Sequence, residues 1–232
     1  MNMEGAPMIR VSESWRATYP GAAAGILIMR DVANPERHPA LEARKAELEQ
    51  ELRARFAGQD ASALKKLERI QPYAAYYKRF GKSYHVQMQL ESVALRGKTI
   101  PSVAALVEAM FLAELKNLLL TAGHDLTSVR LPVTIDAATG TERFVRLDGQ
   151  EQHMKPRDMM MTDELGIISS VIYGPDQRTR ITKDTRDVLF MVYAPAGIGE
   201  EAVRDHLKDI RANVLLVAPE AHVETMEVFG AS

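Results

Sequence analysis

Arg178, Arg180, Thr182 and Thr185 fall in one short stretch of the chain. A planar guanidinium fork matches a carboxylate or a terminal phosphate bidentately. Hydroxyls beside it can orient a water or stabilise developing negative charge. Those are the two requirements of ester hydrolysis: a positioned nucleophile, and donors for the oxyanion. The same stretch holds Lys183, Arg186, Asp176, Asp184 and Asp187. The competing reading is a loop of solvated ion pairs, which contribute little energy, with Thr182 and Thr185 as turn or cap residues.

The elements that must hold this stretch are two short apolar runs, Ile167 to Tyr173 and Asp187 to Tyr193. Both are rich in β-branched and aromatic residues and bounded by turn residues, the pattern of buried strands. Asp163-Glu164-Leu165-Gly166 supplies a tight turn into the first. The link between them joins charge, hydroxyls and a Gly174-Pro175 turn at the ends of core strands. It is the expected site for any small ligand, with the pocket formed where the two segments meet a strand over Val129 to Ile135.

The rest of the chain predicts mixed structure. Ile9 to Val11 and Ala22 to Met29 read as strands, with Gly25 where another backbone comes close. Leu41, Leu48, Leu52 and Phe56 recur at helical spacing, and Gly58 stops that helix. Asp60 or Ser62 caps a second helix running to about Tyr77. Leu64, Leu67, Ile70, Tyr73 and Tyr77 give it an apolar stripe, and Tyr73, Tyr76, Tyr77 and Phe80 interleave with Lys65, Lys66, Arg69, Lys78, Arg79 and Lys82. That stretch is either a solvated helix face or a basic groove on which nucleobases stack. Tyr84 to Leu95 reads as a further helix. Val103 to Leu120 predicts a core helix, apolar nearly all round, whose few charges are Glu108, Glu114 and Lys116; Gly123 is its expected stop. From Val129 to Tyr193 the pattern is mostly sheet, with Glu142 to Leu147 as hairpin partner of Val129 to Ile135. A helix from Gly199 to Ile210, a strand over Val214 to Val217 and a last strand over Ala221 to Phe229 complete the chain. Residues 1–8 read as a loose N-terminal end and residues 9–229 as a single α+β domain.

The 232 residues carry a net charge of −2 and are 46% hydrophobic. That is ample for a sizeable core and argues against gripping nucleic acid by bulk charge. There is no cysteine, so disulfides, thiolate metal sites and cysteine nucleophiles are excluded. No secretory signal and no membrane-spanning run is read from the sequence, so the expected location is the cytoplasm. The six histidines are scattered and make no ligand pair at helical spacing, so no metal site is expected. His124-Asp125 is either a base with its orienting acid or a loop cap. No Walker-type loop or serine elbow occurs, and no cofactor is expected.

Several pieces occur in an order that resembles a known family. They are Lys78-Arg79-Phe80-Gly81-Lys82, Gly97-Lys98-Thr99-Ile100-Pro101, a long helix, Asp125-Leu126, a Thr-Gly-Glu hairpin, Asp163-Glu164-Leu165-Gly166, and Arg178 to Thr185 followed by Asp187-Val188-Leu189. Together they resemble the paired B-three and B-four domains of the bacterial phenylalanyl-tRNA synthetase beta subunit, and the stand-alone proteins built from that module. The resemblance covers roughly residues 70 to 195. It implies an α+β fold, a β-sandwich-like sheet system flanked by helices. It also implies an aminoacyl-tRNA editing function: hydrolysis, or binding alone, of the aminoacyl end of a mischarged tRNA. The alternative is a non-catalytic descendant that binds an amino acid or RNA. The implied partners are tRNA or aminoacyl-tRNA and an amino acid, with no membrane; no oligomeric state is implied. The candidate ligand-binding residues are Arg178, Arg180, Thr182, Thr185, Asp163, Gln177 and Asp125. The chain departs from the family in its polar groups. Thr121 or Ala122 stands nearest the family's histidine, Gln177 replaces a glutamate, and no asparagine occurs near Met110.

Overall fold

The computed structural model describes residues 8–231; apart from Met8, the loose end expected over residues 1–8 lies outside them. Among the described residues, two larger sheets, a two-stranded one and seven α-helices form one α+β domain. A four-stranded sheet runs in the order β11 (His222–Gly230), β2 (Ala23–Arg30), β10 (Val188–Ala194) and β3 (Leu120–Asp125), antiparallel throughout. Every residue of β10 is buried, as its unbroken apolar run requires. A five-stranded sheet runs β1 (Ile9–Val11), β4 (Val133–Ala137), β7 (Met159–Asp163), β8 (Gly166–Ser170) and β9 (Gly174–Pro175). A small hairpin, β5 (Arg143–Val145) with β6 (Glu151–His153), stands beside it.

Helices cover the four-stranded sheet. α6 (Ala105–Asn117) packs on β3, and α7 (Glu200–Leu215) packs on both α6 and β2. Gly25 of β2 leaves room for α7, through side chains rather than the backbone expected: a Cβ there would lie 2.5 Å from Val203 Cγ1. The other helices are α1 (Glu13–Thr18), α2 (Pro39–Arg55), α3 (Ala61–Lys65), α4 (Ile70–Arg79) and α5 (His85–Leu90), the last continued by a π-helical turn over Glu91–Leu95. Asp60 caps α3 by accepting a hydrogen bond from the Ala63 amide. The helix expected from there to Tyr77 is broken into α3 and α4.

Three other expectations are corrected. Gly123 does not stop the long helix. Leu118, in the left-handed conformation (φ 62°), ends it at Asn117, and Gly123 lies inside β3. The apolar texture of Leu118 to Ala122 hid this boundary, because a buried helix and a buried strand look alike in such a run. Val214 to Val217 is not a strand; α7 runs through it to Leu215. Residues 142–147 do not pair with β4, which lies between β1 and β7; β5 closes on β6 around the Asp148-Gly149 turn. Finally, the tyrosines of α4 are interior residues, as the apolar stripe through Tyr73 and Tyr77 implies, and the alternative of a stacking surface is set aside. Tyr73, Tyr76 and Tyr77 are fully or almost fully buried. Tyr73 donates to the Tyr193 carbonyl at 2.6 Å and Tyr76 to Asp158 at 2.6 Å, as buried phenols require. Arg79 lies over the Tyr76 ring, 4.6 Å from its centroid.

Candidate functional site

The arginine-threonine crossover between β9 and β10 is bonded internally. Arg178 Nη2 donates to both oxygens of buried Asp163, at 2.8 and 2.9 Å, and its Nη1 donates to the Ser128 carbonyl at 2.7 Å. Asp163 also accepts from the amides of Arg130 (2.8 Å) and Leu165 (2.9 Å). Thr185 donates to Asp125 at 2.6 Å and accepts from the Thr182 amide at 2.9 Å. The second Asp125 oxygen accepts from the Thr127 amide and hydroxyl. The Thr182 carbonyl takes the Asn34 side-chain amide, and the Gln177 amide donates to Val145. The structure therefore gathers the sequence candidates into two knots, Arg178 with Asp163 and Thr185 with Thr182 and Asp125. His124 faces away from Asp125: its ring bonds Thr179 at 2.7 Å. Burial, with Arg178 nearby, pushes that imidazole down to about 3, so it is neutral.

Arg180 is placed differently. Its guanidinium donates to the Gln177 carbonyl at 2.9 Å and stands, with Ile181, in the wall of a cavity of about 550 Å³. That volume lies within the range of small-molecule sites, roughly 300–1,000 Å³. The cavity opens where the free edge of β3 meets the β8–β9 end of the other sheet, with α6 along one side. Val107, Met110, Phe111 and Glu114 of α6, Leu120 to Gly123 of β3, and Ser170 to Pro175 contribute to its lining, with His85, Leu147 and Tyr193. The expected strand wall at Val129 to Ile135 is not part of it; β3 takes that place.

The sheet edge explains the polar character of this wall. In an antiparallel pair, successive residues turn their amides toward and away from the partner strand. The Thr121 amide donates to Glu114 Oε1 at 2.7 Å and the Asp125 amide to the Thr179 carbonyl at 2.7 Å, both away from β10. By alternation the Gly123 main chain, midway between them, is turned to the same side. A side chain at 123 would crowd this place: a Cβ would lie 2.7 Å from Ile181 Cδ1.

Glu114 is fully buried. Its second oxygen, Oε2, has no hydrogen-bond partner among the described residues. Burial outweighs the one amide bond and pushes its pKa up to about 8. Behind the same wall His206, on α7, accepts from the Asn117 side-chain amide through Nδ1 at 3.2 Å. Its Nε2 therefore carries the proton and donates to Thr121 Oγ1 at 2.7 Å. Burial holds His206 neutral, near 3.

His85 is the imidazole in the lining. Tyr77 gives its hydroxyl proton to the Val171 carbonyl (2.8 Å), so its oxygen can only accept from His85 Nδ1–H, 3.4 Å away. Burial lowers the His85 pKa, which favours the basic form with a lone pair on Nε2. Glu114, His85 and Gly123 were not among the sequence candidates. The available signal was the scarcity of charge in this helix, whose only acids are Glu108 and Glu114. Among the described residues, no group of three His, Asp or Glu side chains is placed to hold a metal ion, and no helix is long and apolar enough to cross a membrane.

The fold and cavity define an α+β domain with a deep, mainly apolar cleft at a junction of two sheet edges. The family model of the B3/4 domain matches residues 73–213, more than half of the chain, and the chain belongs to that family. The matched region contains α6, β3 and the β8–β10 segment that form the cavity. Among solved structures, an N-terminal fragment of the phenylalanyl-tRNA synthetase beta-subunit from Pyrococcus horikoshii aligns over 95% of this chain at 12% identity, with a TM-score of 0.49. This chain spans about half of that one, 53%. No curated protein matches the sequence.

Proposed function

We propose that this chain is an editing-type module that receives the aminoacyl end of a tRNA in the cavity between α6, β3 and the β8–β9 segment. The observation that carries this reading is the cavity itself, enclosed by elements of the matched B3/4 region and bearing few but convergent polar groups. The acyl side chain fits the apolar interior, and Arg180 at the wall suits a carboxylate or phosphate.

Hydrolysis of the ester would fall to His85. Its Nε2 takes a proton from a water as the water oxygen adds to the ester carbonyl carbon. The tetrahedral adduct then collapses, the bond to the ribose oxygen breaks, and that oxygen takes the proton back from the imidazolium. The outward Gly123 amide is the main-chain donor at hand for the oxyanion. Incubation with a full panel of aminoacyl-tRNAs, tyrosyl- and phenylalanyl-tRNA included, tests this. Release of amino acid by the native chain and its loss in His85→Ala are expected. No release across the panel would end the catalytic reading.

A second reading, binding without catalysis of an amino acid or RNA, draws on the crossover. Its arginine and threonines, apart from Arg180, are committed to internal bonds and are not free to act on an ester. Thermal-shift measurement against the twenty amino acids separates the readings, because a ligand that binds the folded state raises its apparent stability.

A further inference from the structure

The cations around α3 and α4 are bonded unlike many others on the surface. Between residues 61 and 84 the chain carries Lys65, Lys66, Arg69, Lys78, Arg79 and Lys82 against one acid, Glu68, although the whole protein has a net charge of −2. All six cations are exposed, and none is in an ion pair among the described residues. On α2 and α7, by contrast, Arg44, Lys45, Arg53 and Lys208 each pair with a carboxylate of their own helix. Like charges gathered on one surface repel and weaken the compact state. No carboxylate of the described chain is placed to relieve that repulsion.

Three of these lysines converge. Lys65 and Lys82, distant in sequence, line one concavity of about 380 Å³ together with Ser83. Ala74 lines it too, and Lys78 follows one turn later on that face of α4. The one acid in this lining, Glu91, accepts from Gln87 and pairs with Arg96. The Lys82 ammonium also stands over the Tyr173 ring, 5.2 Å from its centroid, and Tyr173 lines the main cavity. The row of lysines therefore reaches the rim of that cavity.

A row of unpaired cations matches a polymer with regularly repeated negative charge, which is a phosphodiester backbone. The tyrosines beneath it are interior, so the surface offers no aromatic faces to bases and contacts phosphates alone. An anionic membrane surface would call for large apolar side chains between the cations, and Met88 is the one exposed there. We propose that Lys65, Lys78 and Lys82 form a phosphate-backbone site, on which the RNA behind the aminoacyl end lies while that end occupies the cavity. The inference rests on the cavity reading for the direction of the strand. It goes beyond that reading by adding a second surface, away from the acyl group, with its own partner chemistry.

The test measures binding of bulk deacylated tRNA by fluorescence anisotropy across a range of salt concentrations. It compares the native chain with the triple variant Lys65→Gln, Lys78→Gln, Lys82→Gln. A charge-matched control, Arg204→Gln, Lys208→Gln, Arg211→Gln, alters α7 outside both linings. Each variant is checked for a cooperative melt. The lysine variant should bind about tenfold more weakly or worse, and its slope of log affinity against log salt should be shallower by about 2. The control should stay within a few fold of the native chain. An aminoacyl-adenosine amide, which carries no phosphate, should bind the native chain and the lysine variant alike in calorimetry. No tRNA binding by the native chain, an unchanged slope in the lysine variant, or equal losses in both variants overturns the backbone site. If the amide still binds, the cavity reading survives that result. Lysine-dependent tRNA binding without any binding of the amide supports the backbone site and removes the cavity reading. Lysine-dependent binding to phosphatidylserine vesicles in the absence of tRNA binding overturns the proposal in favour of a membrane surface.

Discussion

The crossover from Asp176 to Asp187 and the cavity beside it are neighbours whose carboxyl groups are bonded to different degrees, although His124 Nε2, on the ring bonded to Thr179, also has no partner among the described residues. In the crossover, Asp163 has four bonds: two from one arginine nitrogen and two from main-chain amides. Asp125 accepts from two threonine hydroxyls and an amide. In the cavity, Glu114 Oε2 has no hydrogen-bond partner among the described residues, and the His85 ring, packed edge-on to Tyr77 and Tyr84, makes a single side-chain hydrogen bond of 3.4 Å. Saturated polar groups rigidify a fold, whereas unsaturated ones cost stability and are kept where they meet something else. The comparison assigns structure to the arginine-threonine segment and ligand contact to the helix-and-edge-strand wall.

The sharpest way to break that assignment is to remove Asp163. Asp163→Ala should cost about 3 kcal/mol in chemical denaturation, because two amides and a guanidinium lose their acceptor together. A cost below about 1 kcal/mol would mean the knot is not structural.

Glu114→Gln should act in the opposite direction and depend on pH. The folded chain keeps Glu114 protonated to about pH 8, whereas the unfolded chain ionises it near 4.5. Between those values the unfolded state binds fewer protons, so native stability falls as pH rises. Glutamine still accepts the Thr121 amide and never ionises. Its melting temperature should therefore exceed the native value at pH 8–9 by the equivalent of about 1–3 kcal/mol. The gap should close as pH is lowered toward 4.5. A gap that does not change with pH would remove the case for a buried acid.

Thr185→Val should cost about 1 kcal/mol and leave ligand affinity unchanged, since it loses bonds only within its knot. The smallest effect belongs to Arg180→Ala. Both arginines are exposed, but Arg180, unlike Arg178, makes no bond to a carboxylate and donates only to a nearby carbonyl, so stability should move by less than about 0.5 kcal/mol. Affinity for an aminoacyl-adenosine analogue should nevertheless fall several-fold in a titration. A large stability loss with unchanged affinity would place it with Arg178.

Much of the scaffold was legible in the sequence. The strands β2, β10 and β11, helix α2 and the tight turn at Asp163 follow from runs of β-branched residues, helical spacing and turn chemistry. The order of pieces carried the family. Local pattern failed where tertiary packing decided. Leu118 takes a left-handed conformation with no glycine to announce it. Tyr76, outside the apolar stripe read for its helix, joins Tyr73 and Tyr77 in the interior. The site was half legible. Charged residues near strand ends attracted notice, yet their bonding partners are far away in sequence: Arg178 bonds Asp163 and Ser128, and Thr185 bonds Asp125. No spacing rule reveals that these groups satisfy one another. Glu114, in contrast, is one of only three charges in its helix, with Glu108 and Lys116, and its meaning depends on β3 ending its sheet without a neighbour.

The most direct test is hydrogen exchange of the intact chain with and without a saturating, non-hydrolysable aminoacyl-adenosine amide shown to bind. Slowed exchange is predicted at Met110 to Glu114, Leu120 to Gly123 and Ser170 to Gly174, with Thr182 to Asp187 unchanged. Protection confined to Arg178 to Asp187, with β3 and α6 unaffected, would contradict the account and return the site to the crossover.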